Sequence, residues 1–208
     1  MMRAISRITA ALSLGAALAC SWSGTASAQT ADEPSDSLAL EALHNFAVCA
    51  VNRTSAGAEK MLAADPSSPD AYKARMQFAK GHGMCVTRGN KLKFGGLPFS
   101  GDIAEALIAA KYRAAPLATA ARSEVAPRNM VEAIGMCVVK ARPADVAAVF
   151  ATEPASKEEL AALKPTGDIL PGCVPAGQTI KMNRPAVRAI YALGAYRLLA
   201  GNPELPEG

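Results

Sequence analysis

The chain has 208 residues, of which 19% are charged and 5% are aromatic, and its formal net charge at pH 7 is +4. This small charge excess by itself indicates no nucleic acid and no other partner. The few aromatic residues argue against broad stacking surfaces for sugars or single-stranded nucleic acid. The chain is long enough for one compact domain or for two small lobes that share a core.

Residues 1–28 have the pattern of a secretory signal peptide. Arg3 and Arg7 precede an apolar run over residues 8–19, and Ala26-Ser27-Ala28 is a small-x-small cleavage site. Because the run is too short to span a bilayer and no later segment is apolar enough, we expect an exported protein without a transmembrane segment. Cys20 faintly resembles a lipoprotein acylation site, but the later cleavage site fits the ordinary signal better.

Four cysteines remain after this segment, and they form two pairs of equal spacing. Cys49 precedes Cys85 by 36 positions, and Cys137 precedes Cys173 by the same distance. In an exported chain four cysteines most simply form two disulfides. Three pairings are open in principle, and the equal spacing favours Cys49 with Cys85 and Cys137 with Cys173. Closing a loop of this length stabilises a fold by about 3.8 kcal/mol in the chain-entropy model. A four-thiolate zinc site is the competing interpretation, but its usual C-x-x-C pairs do not occur here.

The equal spacing belongs to a longer internal similarity at a shift of 88 positions. Residues 63–68 align with 151–156, and Cys85-Val86 aligns with Cys173-Val174. Past the second cysteine the shift becomes 84, where Tyr112-Arg113 meets Tyr196-Arg197. We therefore predict two tandem helical repeats, residues 29–113 and 127–200, joined by a linker over 114–126 and followed by a disordered tail over 201–208.

Each repeat is predicted to contain four helices and one short strand. The first helix has an apolar stripe at helical spacing, and Ser68 and Ser156 are the predicted N-caps of the third, with Glu159 completing a capping box. Alternating residues over 91–94 and 179–182 indicate a half-buried strand in each copy, and we expect the two strands to pair across a pseudo-two-fold axis. The fourth helix is apolar on two faces and is expected to be buried on both. The predicted fold class is mainly α with this small two-stranded pairing.

The repeated motifs carry a resemblance to a group of proteins. Cys49-Ala50-Val51, Cys85-Val86, residues 177–181 and Ala195-Tyr196-Arg197 resemble segments of small secreted proteins of Gram-negative bacteria. Those proteins consist of two cysteine-containing helical units and have no assigned activity. The resemblance implies export and duplication, and it implies no catalytic residue.

The sequence contains few signs of catalysis. Metalloprotease, haem, Walker, nucleophile-elbow and S-x-x-K motifs are absent. The two histidines, His44 and His82, align with Glu132 and Leu170, so the duplication keeps neither. A nucleophilic pair of His44 and Cys49 is a hypothesis that a disulfide at Cys49 would exclude. The recurring Tyr-Arg pairs are interpreted as packing at a helix end, with paired ligand contacts as the alternative.

Charge is distributed unevenly within each copy. Residues 71–101 and 169–203 contain no acidic residue. If the strands pair, the basic halves of both copies would form one positive face for anionic envelope lipid or polymer. The alternative is ordinary solvated charge. The candidate contacts are Lys73, Arg75, Arg88, Lys91, Lys93, Lys181, Arg184 and Arg188.

These observations predict a periplasmic or secreted protein that is not an enzyme and needs no cofactor. It would bind anionic envelope components or another envelope protein, or it would have a purely structural role. The alternative is an enzyme with a site between the repeats, which would require a deep cleft where His44 or His82 meets an acidic residue.

Overall fold

The computed structural model describes residues 34–64, 68–86, 96–113, 116–178, 180, 182–203 and 205. They form helices, and no strand occurs among them. The helices are α1 (Pro34–Arg53), α2 (Ser55–Ala63), α3 (Pro69–Gly81), α4 (Gly96–Lys111), α5 (Leu117–Ala120), α6 (Met130–Ala141), α7 (Pro143–Phe150), α8 (Lys157–Leu163), α9 (Leu170–Cys173) and α10 (Arg184–Ala200), with 3₁₀ turns at Gly83–Cys85 and Lys164–Thr166.

Side-chain caps begin several of these helices. Ser68 Oγ accepts a hydrogen bond from the Ala71 amide at 3.1 Å, and Ser156 Oγ accepts one from the Glu159 amide at 3.0 Å. Each cap satisfies an amide that has no partner within its helix. The predicted N-caps are confirmed, but the capping box is altered. The Glu159 carboxylate accepts from the Ala155 amide, one residue before the cap.

Two disulfides connect helices within the predicted repeats. Cys49 on α1 is bonded to Cys85 in the 3₁₀ turn, and Cys137 on α6 is bonded to Cys173 on α9. These are the pairs that the equal spacing favours. All four thiols are therefore used, which removes the four-thiolate zinc site and the His44–Cys49 nucleophile.

The fourth helix of each predicted repeat, α4 or α10, lies at the centre of the core. Residues 101–107 of α4 are all buried, and α10 is buried from Arg188 to Tyr196. Helix α10 packs on both α4 and α6, and α1 packs on α4. Tyr112, just after α4, meets Tyr196 edge to face with ring centroids 6.5 Å apart. Burial raises the pKa of Tyr196 to about 12. The recurring tyrosines are thus core residues, as the packing interpretation expected.

The remaining predictions have different outcomes. The first predicted strand, residues 91–94, lies outside the described residues. In the second, Thr179 and Lys181 also lie outside them, and Ile180 and Met182 are not in a strand. The pairing of the two strands therefore stays a prediction.

In the predicted linker, Leu117 and Ala120 of α5 are buried in the core. Part of the predicted tail is also packed, since Asn202 Nδ2 donates to Ser123 Oγ at 2.7 Å. The signal segment lies outside the described residues, and no described helix is long and apolar enough to cross a membrane.

Glycine allows α10 to approach its neighbours closely. A Cβ added at Gly194 would lie 2.2 Å from the carbonyl carbon of Gly135, and one at Gly135 would lie 2.1 Å from the Ile190 oxygen. On the other side, a Cβ at Gly101 of α4 would lie 2.4 Å from Ala189 Cα. Because these clashes are with backbone or Cα atoms, a side chain at any of the three glycines would force the helices apart.

Replacing Gly194 by Ala is therefore expected to destabilise the fold by about 1–3 kcal/mol. The matched control is Gly81→Ala at the end of α3, where an added Cβ meets nothing within 4 Å. Urea unfolding with the disulfides intact gives the free energies. Equal midpoints for the two variants would contradict the proposed role of the close contact.

Candidate functional site

Arg188 is the centre of a buried group of charged side chains. It is 4% exposed, and its guanidinium donates to both carboxylate oxygens of Glu105, from Nε at 2.9 Å and from Nη2 at 2.6 Å. Nη1 donates to Glu159 at 3.1 Å, and Nη2 also donates to the Thr152 carbonyl at 2.9 Å. Arg188 on α10 thereby connects α4 with the start of α8, and its charge is compensated on both sides.

Arg184 belongs to the same charged group. Its Nε lies 3.3 Å from Glu159 Oε2, and its Nη2 donates to the Ala155 carbonyl at 2.9 Å. Arg184 and Arg188 were predicted to contact an anionic ligand on a solvent-facing surface. In the structure both guanidiniums bond to carboxylates and carbonyls of the chain itself, and their contact with an anionic ligand stays a prediction.

His44 on α1 and Asp102 on α4 extend the group toward the surface. His44 Nδ1 donates to Asp102 Oδ1 at 3.4 Å, and the two side chains are 20% and 11% exposed. The bond with Asp102 raises the pKa of His44, and burial opposes this effect only in part. The group contains three carboxylates and two guanidiniums, so a proton on His44 makes it electrically neutral.

One possible metal-binding group lies here. A nitrogen of His44 and carboxylate oxygens of Asp102 and Glu105 lie within 4.8 Å of one another. These donors suit zinc, but Arg188 already bonds both Glu105 oxygens and places a positive charge beside them. The geometry therefore fits an ion-pair group better than a metal centre.

The space beside these carboxylates is small. A cavity of about 20 Å³ is lined by Asp102, Glu105, Glu159 and Arg188, among others. That volume accommodates about one water molecule. His44 does meet acidic residues, as the enzyme alternative requires, but the accompanying deep cleft is not found at this place.

His82 has a local structural role. Its Nδ1 donates to the Phe78 carbonyl at 2.7 Å, and its Nε2 lies 3.3 Å from Thr54 Oγ1. Its ring also stacks near Phe78, with centroids 4.3 Å apart. Both ring nitrogens are thus engaged at the junction of α3 with the start of α2.

The other predicted anion contacts divide into two groups. Arg88, Lys91, Lys93 and Lys181 lie outside the described residues, so a basic face that includes them stays a prediction. Lys73 on α3 is 70% exposed and lies 3.6 Å from Asp70. Arg75, on the same helix, is half-buried and faces a much larger cavity.

This apolar cavity has a volume of about 510 Å³, within the range of roughly 300–1,000 Å³ typical of ligand sites. It is bounded by parts of α2, α3, α4, α6 and α10, and several of its lining residues are apolar. The lining residues are Met61, Leu62, Ala64, Ala71, Arg75, Gly96, Leu97, Ser100, Asn129, Met130, Val131, Glu132 and Leu193.

Three polar side chains of the cavity have different environments. The Arg75 guanidinium lies over Gly96, where an added Cβ would be 3.3 Å from Nη2. Arg75 forms no ion pair with any described residue. Glu132 is neutralised by Arg128, whose Nε donates to it at 2.9 Å, and by Arg197 at 3.7 Å. Asn129 Oδ1 caps α6, but its buried Nδ2 has no hydrogen-bond partner in the described part of the chain.

Sequence reasoning missed both the charged group and the cavity. Glu105 is 83 residues from Arg188, and His44 is 58 residues from Asp102, so neither pair has a local signature. The internal alignment did contain a signal for the charged group, because Glu159 aligns with Ala71 and Arg188 aligns with Ala104. Unmatched charges within the predicted repeats could have been recognised as partners. Comparison with protein-family models, curated proteins and solved structures finds no match to this chain.

The raised pKa of His44 predicts a specific pH dependence. Protonated His44 stabilises the fold below its ordinary pKa of 6.5, and this contribution is lost as the pH rises through the higher folded-state pKa. His44→Gln should cost about 1 kcal/mol at pH 6 and less at pH 8.

The check is urea unfolding of wild type and His44→Gln at both pH values, with the His44 pKa followed by NMR. Asp102→Asn provides the matched variant, since it keeps His44 but removes its carboxylate. It should lower the His44 pKa. Parallel stability curves for wild type and His44→Gln, or an unchanged His44 pKa in Asp102→Asn, would contradict this assignment.

Proposed function

We propose that this protein is an exported, non-enzymatic binding protein whose ligand occupies the apolar cavity beside Arg75. The observation that carries the proposal is the cavity itself. It combines ligand-sized volume, apolar lining residues and a guanidinium that forms no ion pair with the described residues, which is the usual composition of a small-molecule site.

The contrast between the two cavities supports binding over catalysis. Near His44 the titratable groups converge, but Arg188 compensates Glu105 and the space holds about one water molecule. At the large cavity there is space, but its described lining contains no histidine or cysteine. The second candidate function, an enzyme using His44 with Asp102, would require the charged group to open for its substrate.

The proposal requires that the protein is exported from the cytoplasm. The signal-like residues 1–28 favour it, and so do the Cys49–Cys85 and Cys137–Cys173 disulfides, because such bonds persist in oxidising compartments. We place the protein in the periplasm or outside the cell. Its ligand would then come from envelope material.

A duplicated architecture is also part of the proposal. The two disulfides connect equivalent positions, α4 and α10 correspond, and their tyrosines meet at Tyr112 and Tyr196. In this view, the cysteine-bonded repeats form one core through α4 and α10. This agrees with the single compact unit to which the described residues belong.

Binding in the cavity is tested with the neutral apolar fluorophore Nile red. We expect its fluorescence to rise saturably with wild-type protein. Ser100→Phe should weaken this binding about tenfold or more, because a phenyl ring at this lining position would occupy part of the cavity. His44→Gln is the control, since it changes the charged group and leaves the cavity lining intact.

Thermal unfolding verifies that both variants are folded. Unchanged probe binding in folded Ser100→Phe would exclude the cavity as the site. A turnover with envelope-derived substrates that disappears in His44→Gln and Asp102→Asn would favour the enzyme alternative.

A further inference from the structure

We infer that the apolar cavity binds a single-chain amphiphile with an anionic head group, such as a fatty carboxylate or an alkyl phosphate. This inference rests on the proposed function and specifies its ligand class. It depends on three features of the described lining: its apolar side chains, the charge balance among its ionisable groups and one unsatisfied amide.

The apolar side chains fit a hydrocarbon chain. Four helices contribute apolar side chains to the lining. They are Met61 and Leu62 of α2, Leu97 of α4, Val131 of α6 and Leu193 of α10. Contacts with these residues would remove a flexible alkyl chain from water, which is favourable in proportion to the apolar surface buried. A purely polar ligand would gain nothing from them.

The ionisable groups favour a negative head group over a positive one. Glu132 is the described carboxylate in the lining, and Arg128 and Arg197 already compensate it. Arg75 is the described cation in the lining, and no described carboxylate pairs with it. An anion would therefore complete an ion pair with Arg75, whereas a cation would be repelled.

The amide of Asn129 supplies a second donor. Its Nδ2 is buried without a partner among the described residues, which is unfavourable relative to a bonded amide. The side-chain oxygen is held by the Glu132 amide at 3.0 Å, so the amide orientation is fixed by the helix cap. An oxygen of a bound carboxylate or phosphate is the kind of acceptor that this nitrogen lacks.

Carboxylates and phosphates share this chemistry, and they have different sources. A fatty carboxylate is a product of ester cleavage, and an alkyl phosphate represents a lipid head group. Decanoate and decyl phosphate therefore serve as the two anionic probes. Decanol and decyltrimethylammonium have the same chain with a neutral and a cationic head.

The experiment measures displacement of Nile red from the oxidised, folded protein by each of the four compounds below its micelle concentration. At least one anion should bind about tenfold more tightly than decanol, and decyltrimethylammonium should bind most weakly. Arg75→Gln should remove this preference while leaving the decanol affinity unchanged. Arg75→Lys should restore part of it because the charge is retained.

Lys73→Gln is the matched control on the same helix. Lys73 is exposed, pairs with Asp70 and is not part of the cavity lining. It should leave the anion preference unchanged. If Lys73→Gln and Arg75→Gln weaken anion binding equally, the anion binds a general basic surface and the inference is wrong.

The remaining outcomes separate the inference from the proposed function. If Nile red binds in the cavity but decanol competes as strongly as both anions, the ligand-class inference fails while the binding function stands. If Nile red does not bind, or binds equally to Ser100→Phe, both fail. If only decyl phosphate is preferred, the inference holds and the lipid head group is identified as the source.

Discussion

The close packing of α10 against α4 and α6 is the constraint on which the rest of the structure depends. Gly135 and Gly194 bring the α6 and α10 backbones together, and Gly101 lets α4 approach Ala189. A helix packed on two sides cannot shift without disturbing both interfaces. This arrangement places Glu105 opposite Arg188, and it places the start of α6 beside the large cavity. Both candidate sites are consequences of the same backbone contacts.

Burying Arg188 in this interface is favourable only because its partners are buried with it. A buried guanidinium without carboxylates would carry a desolvation cost of several kcal/mol, and the bidentate bond to Glu105 with the bond to Glu159 compensates it. The charge requirement also explains the altered capping box. The Glu159 carboxylate faces Arg184 and Arg188, and it bonds the Ala155 amide from that position. The ion pairs thus connect the α7–α8 junction to the central helices.

Much of the helical fold could be predicted from the sequence because its causes are local. Apolar spacing placed Phe46 and Ile134 in the core, and Ser68 and Ser156 begin helices through their own hydroxyls. The disulfides followed from a repeat distance. The sites depend on residues far apart in sequence, which local rules cannot bring together. Arg188 in particular resembled a solvated cation because most arginines are exposed, and only the tertiary fold supplies Glu105.

The proposed duplication gives these two sites a common origin. At matched positions, Glu159 corresponds to Ala71 and Arg188 to Ala104, so one copy has charged side chains where the other has methyl groups. His44 likewise corresponds to Glu132, which lines the cavity. Replacing long side chains by alanine removes volume, and a rigid core does not collapse fully to fill the space. In this view the charged group fills the space between the copies on one side, and the related space on the other side, with Ala71 in its lining, is left open to a ligand. The region best suited to binding is therefore where the copies differ in side-chain size, rather than where their shared cysteines hold the fold.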